Sequence, residues 1–452
     1  MENRPEIKRL YWFEFFKSLS QEMINPFLPV FALVLGASNF LLGSMSSLVT
    51  LVGLISQLFF MVVVVKTKRK EESLIIATIL WSLMWFVIGS SKDPYQLILF
   101  LSIQSFFSTL MTISWTEIFV SSVPNYLRGR IVSKINLFNK IGLVIATLVS
   151  GIVFNKYGFV PFIFSVSTLF GLIACSTMLC LKCISPRLPR LRIRFRKTRI
   201  NFKFLRENPK FYKLLKARIV LSFALGLTSV FFTVQLIKHF HATLFDIALI
   251  TILGSVVRIL VFKPWGFLVD FIGRKAVMIA TLTFISLYPL VYAFSPSLML
   301  IYVFTILGNM SWAGFDVAHF TYFSETLDKK RVVDFTTSYN FLTQISLVLG
   351  KFIGGLIAEF GSLIAVFMLS FLFRVSSSFF YSRLDEKTGP VRMPLRIGFG
   401  EVRFSTLEHT VAIYAELFSI LMKNFSRRRE KIFHTLDLFI EEMRRFLRKL
   451  KS

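Results

Sequence analysis

The feature that most constrains this chain is a series of long apolar runs, divided by short charged connections and recurring to about residue 383. A helix needs about 20 mostly apolar residues to cross a hydrocarbon core roughly 30 Å thick, at a rise of 1.5 Å per residue. Runs of that length fall at 10–35, 39–65, 73–91, 95–121, 135–155 and 159–182. A second set falls at 213–238, 243–268, 275–294, 297–323, 335–358 and 362–383. Lipid offers no hydrogen-bond partner to a backbone, so only helices and closed barrels cross it, and the alternating pattern of a barrel strand is absent. The sequence predicts an all-α membrane protein with twelve transmembrane helices. A soluble chain of 452 residues would cover itself with charge, whereas 17% of residues here are charged and 54% hydrophobic.

The net charge of +28 fits the same reading. In a soluble chain it would suggest nucleic acid. Here the cations gather in connections on one side, as the positive-inside rule requires, and no nucleic-acid partner is expected. Lys66–Lys70, Arg128–Arg130, Gly273–Lys275 and Lys329–Arg331 lie on that side, as does Lys182–Arg218, with fourteen Lys and Arg against Glu207. The opposite connections, at Ser38–Asn39, Lys92–Asp93 and Glu359–Phe360, carry almost no excess. The expectation is a multi-pass protein of the cell membrane with both termini cytoplasmic. Met1–Arg9 leads into a long run containing Glu14 and Glu22, unlike a cleavable signal peptide. The three cysteines, Cys175, Cys180 and Cys183, lack the histidine or second pair that a metal site needs, so neither metal nor cofactor is expected.

The two sets of six runs repeat one another. Ser114-Trp115 and Ser311-Trp312 occupy the same place in the fourth and tenth runs. Arg128 precedes Gly158, and Arg331 precedes Gly361, by the same 30 residues. Between them, Gly142, Ala146, Ser150 and Gly151 match Ser346, Gly350, Gly354 and Gly355. This predicts two pseudo-symmetric six-helix halves related by an axis along the membrane normal. The domain reading is a bundle over 1–182, a basic cytoplasmic linker over 183–212, a second bundle over 213–383 and a basic amphipathic tail over 384–452. In the tail, Tyr414, Leu417, Phe418, Leu421 and Met422 follow helical spacing. Three readings of it stand: a helix resting on its own protein, a helix on anionic lipid, and a partner-binding segment.

The stretch Gly266-Phe-Leu-Val-Asp270-Phe-Ile-Gly273-Arg274-Lys275 resembles the G-x-L-x-D-x-x-G-R-K signature of the major facilitator superfamily, which lies between that family's spans 8 and 9. Asn25 through Ser38 resembles the first span of its twelve-helix drug and solute exporters, and Val123–Arg130 and Glu325–Arg331 resemble its loops after spans 4 and 10. The first-half copy of the signature, Val65–Lys70, has neither the aspartate nor the glycines, and Thr147 stands where the exporter motif has proline. The resemblance implies a secondary transporter whose halves rock about a central site. It also implies a gating motif of Gly266, Asp270, Gly273, Arg274 and Lys275, with Glu325 as the carboxylate for Arg274.

Ionisable residues inside spans are costly and mark function. Arg258 and Asp316 both count to a depth on the order of 12 Å, which makes an ion pair feasible, and His319 lies one turn from Asp316 as a candidate relay. Glu22, beside Asn25 and a Pro26 break, lies near mid-depth in a span that the resemblance places on the cavity. Lys351 and Arg374 are deep, and Arg374 falls on a helix that is peripheral in the resembled architecture. Glu14, Lys17 and Glu117 read as interfacial structural charges. Gln104, Thr112, Trp115, Thr228, Gln235, Asn309 and Trp312 are candidate cavity lining. The functional expectation is a transporter, working as a monomer, that moves a small organic solute with protons as the candidate coupling ion. An uncoupled facilitator and a non-transporting receptor or scaffold are the alternatives. No phosphate loop and no nucleophile–base pair point to a pump or an enzyme. Sugars, organic anions and amphipathic solutes all suit a mixed-charge aromatic cavity.

Overall fold

The computed structural model describes residues 5–66, 70–123, 128–184, 208–327 and 331–385. Most of the expected linker, all of the tail beyond 385 and part of the first-half signature lie outside these residues. The described chain is helical, and its helices form twelve spans in two halves. Span 1 is Pro5–Glu22, continued after a tight turn at Asn25–Phe27 by Leu28–Val34; spans 2 to 6 are Asn39–Lys66, Lys70–Gly89, Pro94–Ser122, Arg128–Tyr157 and Pro161–Ile184. Span 7 is Pro209–Thr228 continued by Phe231–Lys238; spans 8 to 12 are Leu244–Ile272, Arg274–Phe294, Leu298–Thr326, Val332–Phe360 and Leu363–Ser382. Eleven of the twelve are long and apolar enough to cross a membrane. Span 1 misses that standard because Glu6, Lys8, Arg9, Glu14, Lys17 and Glu22 all fall in its first helix.

Several helices begin earlier than their apolar runs. Span 5 starts at Arg128 rather than 135, and span 7 at Pro209 rather than 213. A charged turn outside the hydrocarbon carries no desolvation cost, so the helix continues until a cap stops it. Asn208 is that cap for span 7: its side chain accepts from the Phe211 N–H at 3.2 Å, and Pro209 needs no partner at the first position. Asp93 caps span 4 in the same way, and Thr243 with Asp246 forms a reciprocal capping box on span 8.

The halves repeat one helix-packing pattern. Span 1 packs on 5 and 6, span 3 on 4 and 6, and span 2 on 4; span 7 packs on 11 and 12, span 9 on 10 and 12, and span 8 on 10. Spans 2 and 11, and spans 5 and 8, then join the halves. The repeated small residues explain how. A methyl on Gly350 or Gly354 would run into the span 7 backbone at Phe223 and Leu227, and one on Gly142 would meet the Phe15 carbonyl in span 1. Gly355 and Gly151 face the opposite half, against Gly43 of span 2 and Ala248 of span 8. In a bilayer no water is released when helices meet, so close approach of small residues supplies the attraction.

With an even number of spans, the first and last described helices end on the same face. On the opposite face, where Gly158 and Gly361 lie, the halves are closed. Asn39 Nδ2 donates to the Ala358 carbonyl at 3.0 Å, the Phe40 N–H to Glu359 Oε2 at 2.9 Å, and Ser47 Oγ to the Val348 carbonyl at 3.0 Å. A Gly355→Leu substitution should force spans 2 and 11 apart there. Spin labels at exposed Tyr95 and Met299 should report longer distances in the variant, and an unchanged distribution would refute this closure.

Candidate functional site

Spans 8 and 10 are held in register along their length. Trp265 Nε1 donates to the Met310 carbonyl at 2.7 Å, and the Tyr302 hydroxyl donates to Asp246 at 2.8 Å near the far end. Gly314 leaves room for the Trp265 ring, and Gly254 for the Asn309 amide. Between these clamps Arg258 Nη2 donates to Asp316 Oδ2 at 2.5 Å. Span 8 runs on through Gly266 to Ile272, so Arg258 is its middle residue and lies deeper than a count from Gly266 suggests. The side chains of Arg258 and Asp316 are 35% and 42% exposed, and both line a cavity of about 460 Å³ with Ser229, Phe232, Tyr288, Asn309, Trp312 and Arg374.

Arg374, deep on span 12 and without a partner in the sequence reading, is buried at 2% exposure and lines the same cavity. Its guanidinium donates to the Ile285 carbonyl at 2.9 Å and to Thr228 Oγ1 at 3.1 Å, and lies 5.8 Å from the Phe232 ring centre. A charge at a helix centre costs about 2.5–3.5 kcal/mol on insertion scales, and neutral acceptors answer its N–H groups without cancelling the charge. Thr228 is thereby a partner of Arg374 packed between spans 7 and 12, with Ser370 at 3.5 Å. Gln235 donates to the Tyr292 carbonyl at 3.1 Å and is likewise in packing.

A second cavity, of about 300 Å³, lies toward the first half. Gln21, Asn25, Trp81, Trp85, Gln104 and Lys351 are on its wall. Lys351 reaches across from span 11 to Thr50 Oγ1 at 2.7 Å and to the Ser46 carbonyl at 3.4 Å. The breaks in spans 1 and 7 serve these two spaces, one bringing Asn25 to the first-half wall and the other Ser229 to the second-half wall. Trp115 is on neither; its ring stacks on Phe119 at 5.3 Å. Thr112, which bonds only its own helix at Ser108, is exposed.

Glu22 is not on either wall, although its neighbours Gln21 and Asn25 are. Its opposing charge comes first from Lys140 of span 5 and then from Lys17, while Arg258 reaches Lys140 as a like charge from the other half. His319 turns away from the relay geometry: Nε2 pairs with the Tyr339 hydroxyl at 2.8 Å, and the ring stacks on Phe315 at 5.4 Å. Arg218 of span 7 also lies over the Phe315 ring, at 5.9 Å, and sends its field to Asp316. Lys140 is the charge that sequence reasoning missed, and Arg218, counted there with the basic connection, lies inside span 7.

In the signature segment, Arg274 pairs with Glu325 at 2.9 Å, joining spans 9 and 10 of one half. Gly273 makes the turn between spans 8 and 9 at φ +104°, where a side chain would be strained. Gly266 is mid-helix, with open space where a methyl would go, so it has no part in that turn. Asp270 is exposed at the end of span 8, and Lys275 is partly buried at the start of span 9. On the same face Lys213 holds Asp385 at 2.8 Å, which keeps that carboxyl below the usual carboxylate range.

Two packed six-helix halves, closed on one face and enclosing polar cavities at mid-span, define a membrane carrier of the transporter class. The chain belongs to the major facilitator superfamily, whose family model matches residues 10–237 and 214–395. A point mutant of the nucleoside transporter NupG superposes with a TM-score of 0.69 at 14% identity, covering 84% of this chain and all of that one. Unmutated NupG gives 0.66 at 14% identity over 83% and 98%. A bacterial homolog of the human lysosomal transporter Spinster, inward-facing and unoccupied, gives 0.60 at 13% identity over 83% and 95%. At these identities the likeness is one of fold. By sequence, no individual characterised protein matches the chain.

Removing one partner of a dry ion pair costs about 3–5 kcal/mol, and of an exposed one under about 1 kcal/mol. Arg258–Asp316, open only to the cavity, should fall between. Asp316→Asn is therefore expected to lower the melting midpoint of purified protein, and Arg258→Gln added to it should recover a good part of the loss. Equal melting of parent and Asp316→Asn would show that the pair contributes nothing to stability.

Proposed function

We propose that this chain is a secondary active transporter that moves a small organic solute by alternating access, coupled to protons through Asp316. Its membrane is the cell membrane, its termini are cytoplasmic, and it works as a monomer. The observation that carries the reading is the Arg258–Asp316 pair, mid-membrane on the wall of a solute-sized cavity. A carboxylate in that position has two sources of neutrality, the guanidinium and a proton from water. When solute or helix movement draws Arg258 away, the proton is the remaining source, and proton uptake is thereby tied to the solute cycle. Closure of one face through Asn39, Phe40 and Ser47 supports alternating access, since spans 2 and 11 must part there for the opposite state. The fold shared with a nucleoside transporter supports a solute of about that size. The basic connections support the orientation, and an inside-out placement of Ser452 by cysteine labelling would overturn it.

Proteoliposomes test the coupling. For a solute that gives counterflow, Asp316→Asn is expected to abolish pH-driven net transport while keeping part of the solute exchange, because the amide mimics one protonation state throughout. Solute-driven proton movement of parental size in that variant would exclude Asp316, and pH-independent transport by the parent would make the protein an uncoupled facilitator.

A further inference from the structure

We propose that the solute is an organic anion, its carboxylate or phosphate docking on Arg374 and Arg258 and its ring system lying against Phe232, Tyr288 and Trp312. The inference rests on the transport reading above and adds the chemical class of the solute.

The charges on the cavity wall carry it. Two guanidiniums and one carboxylate line this space, and Arg218 adds a third positive field at Asp316. Asp316 is already engaged by Arg258. Arg374 meets only a backbone carbonyl and a hydroxyl, and the Nε atoms of both Arg258 and Arg374 are buried with no hydrogen-bond partner among the described residues. The first-half cavity has the same sign, since Lys351 is the ionisable residue on its wall and bonds only neutral oxygens. Among the described residues, three cations thus face the two cavities and Asp316 is the one carboxylate. A cationic solute would meet repulsion at both walls, and a neutral one would leave Arg374 uncompensated.

Geometry narrows the class further. A guanidinium offers paired N–H groups to a planar or tetrahedral oxyanion, which an ammonium does not. Phe232 lies beneath Arg374, so a flat apolar body attached to the oxyanion meets aromatic carbon directly beside its charge site. The cavity, at about 460 Å³, has room for a solute with one or two rings.

Matched ligands test this on the full purified chain in detergent, by shift of the melting midpoint. The pairs are 2-naphthoate with neutral 2-naphthamide, and uridine 5′-monophosphate with uridine; 2-naphthylmethylammonium is the cation. At least one anion is expected to raise the midpoint saturably, while its neutral partner and the cation do not; which of the two anions responds separates carboxylate from phosphate. Arg374→Gln should weaken that anion by about tenfold or more, and Arg374→Lys by less. The comparison on the parent chain stands even if Arg374→Gln does not fold. The inference is overturned if a neutral partner matches its anion, if the cation stabilises, or if neither anion acts. Uridine counterflow without any anion effect would sink the anion site and leave the transporter. Anion-specific stabilisation without counterflow of that anion would leave the site and sink the transport reading.

Discussion

An ionised side chain halfway through a bilayer has to be answered by an opposite charge, by acceptors or by water, and much of the second half is built around answering Arg258. The pair with Asp316 requires spans 8 and 10 to hold a fixed register, because a slip of one residue turns a side chain about 100° away. Trp265 on Met310, Tyr302 on Asp246, and the two glycines that admit Asn309 and Trp265 supply that register from both ends. Span 9 packs behind span 10, and Arg274–Glu325 ties their ends. Within the signature segment, that contact is made inside one half.

Small residues bring the halves together at two helix pairs, spans 2 and 11 and spans 5 and 8. Gly43 against Gly355 and Gly151 against Ala248 bring backbones together where lipid, not water, is the competing solvent. Such contacts are strong in dispersion and poor in directional bonds, which suits surfaces that separate and rejoin. The directional bonds between spans 2 and 11 run from the helix ends, at Asn39 and Phe40, inward to Ser47 on Val348 and Lys351 on Thr50 and Ser46. Within a half the same residue type works too, since Gly350 and Gly354 bring span 11 against the backbone of span 7 at Phe223 and Leu227.

How much of this is legible in the sequence follows from which signals are one-dimensional. Span number and order rest on run length, and the family signature on contiguous residues, so both read correctly. The small-residue repeat is readable as a repeat, while its two faces, one toward span 7 and one toward span 2, need the rotation of the helix. Depth is countable, which brings Arg258 and Asp316 together, but rotation is not. Hence Thr228, Gln235 and Trp115 read as lining and sit in packing, and His319 faces Tyr339. The partners of Arg374 are hidden for the same reason, since the Ile285 carbonyl and Thr228 come to it from other helices. Arg218 is counted with the basic connection beside it.

The internal repeat also separates scaffold from chemistry. Spans 2 and 4 of the first half pack as spans 8 and 10 do, and they are joined by hydroxyls: Ser105 Oγ donates to the Val49 carbonyl at 2.8 Å, with Thr109 one turn on at 3.5 Å from that of Gly53. The same packing in the second half holds Arg258 and Asp316. Two helices in this arrangement can therefore be joined without an ion pair, and the neutral version avoids the cost of desolvating two charges. Spans 1 and 7 differ in the same manner, one presenting Glu22 to Lys140 and the other Arg218 to Tyr339. The fold thus repeats while these charges do not, and Arg258, Asp316 and Arg374 meet on the wall of one cavity.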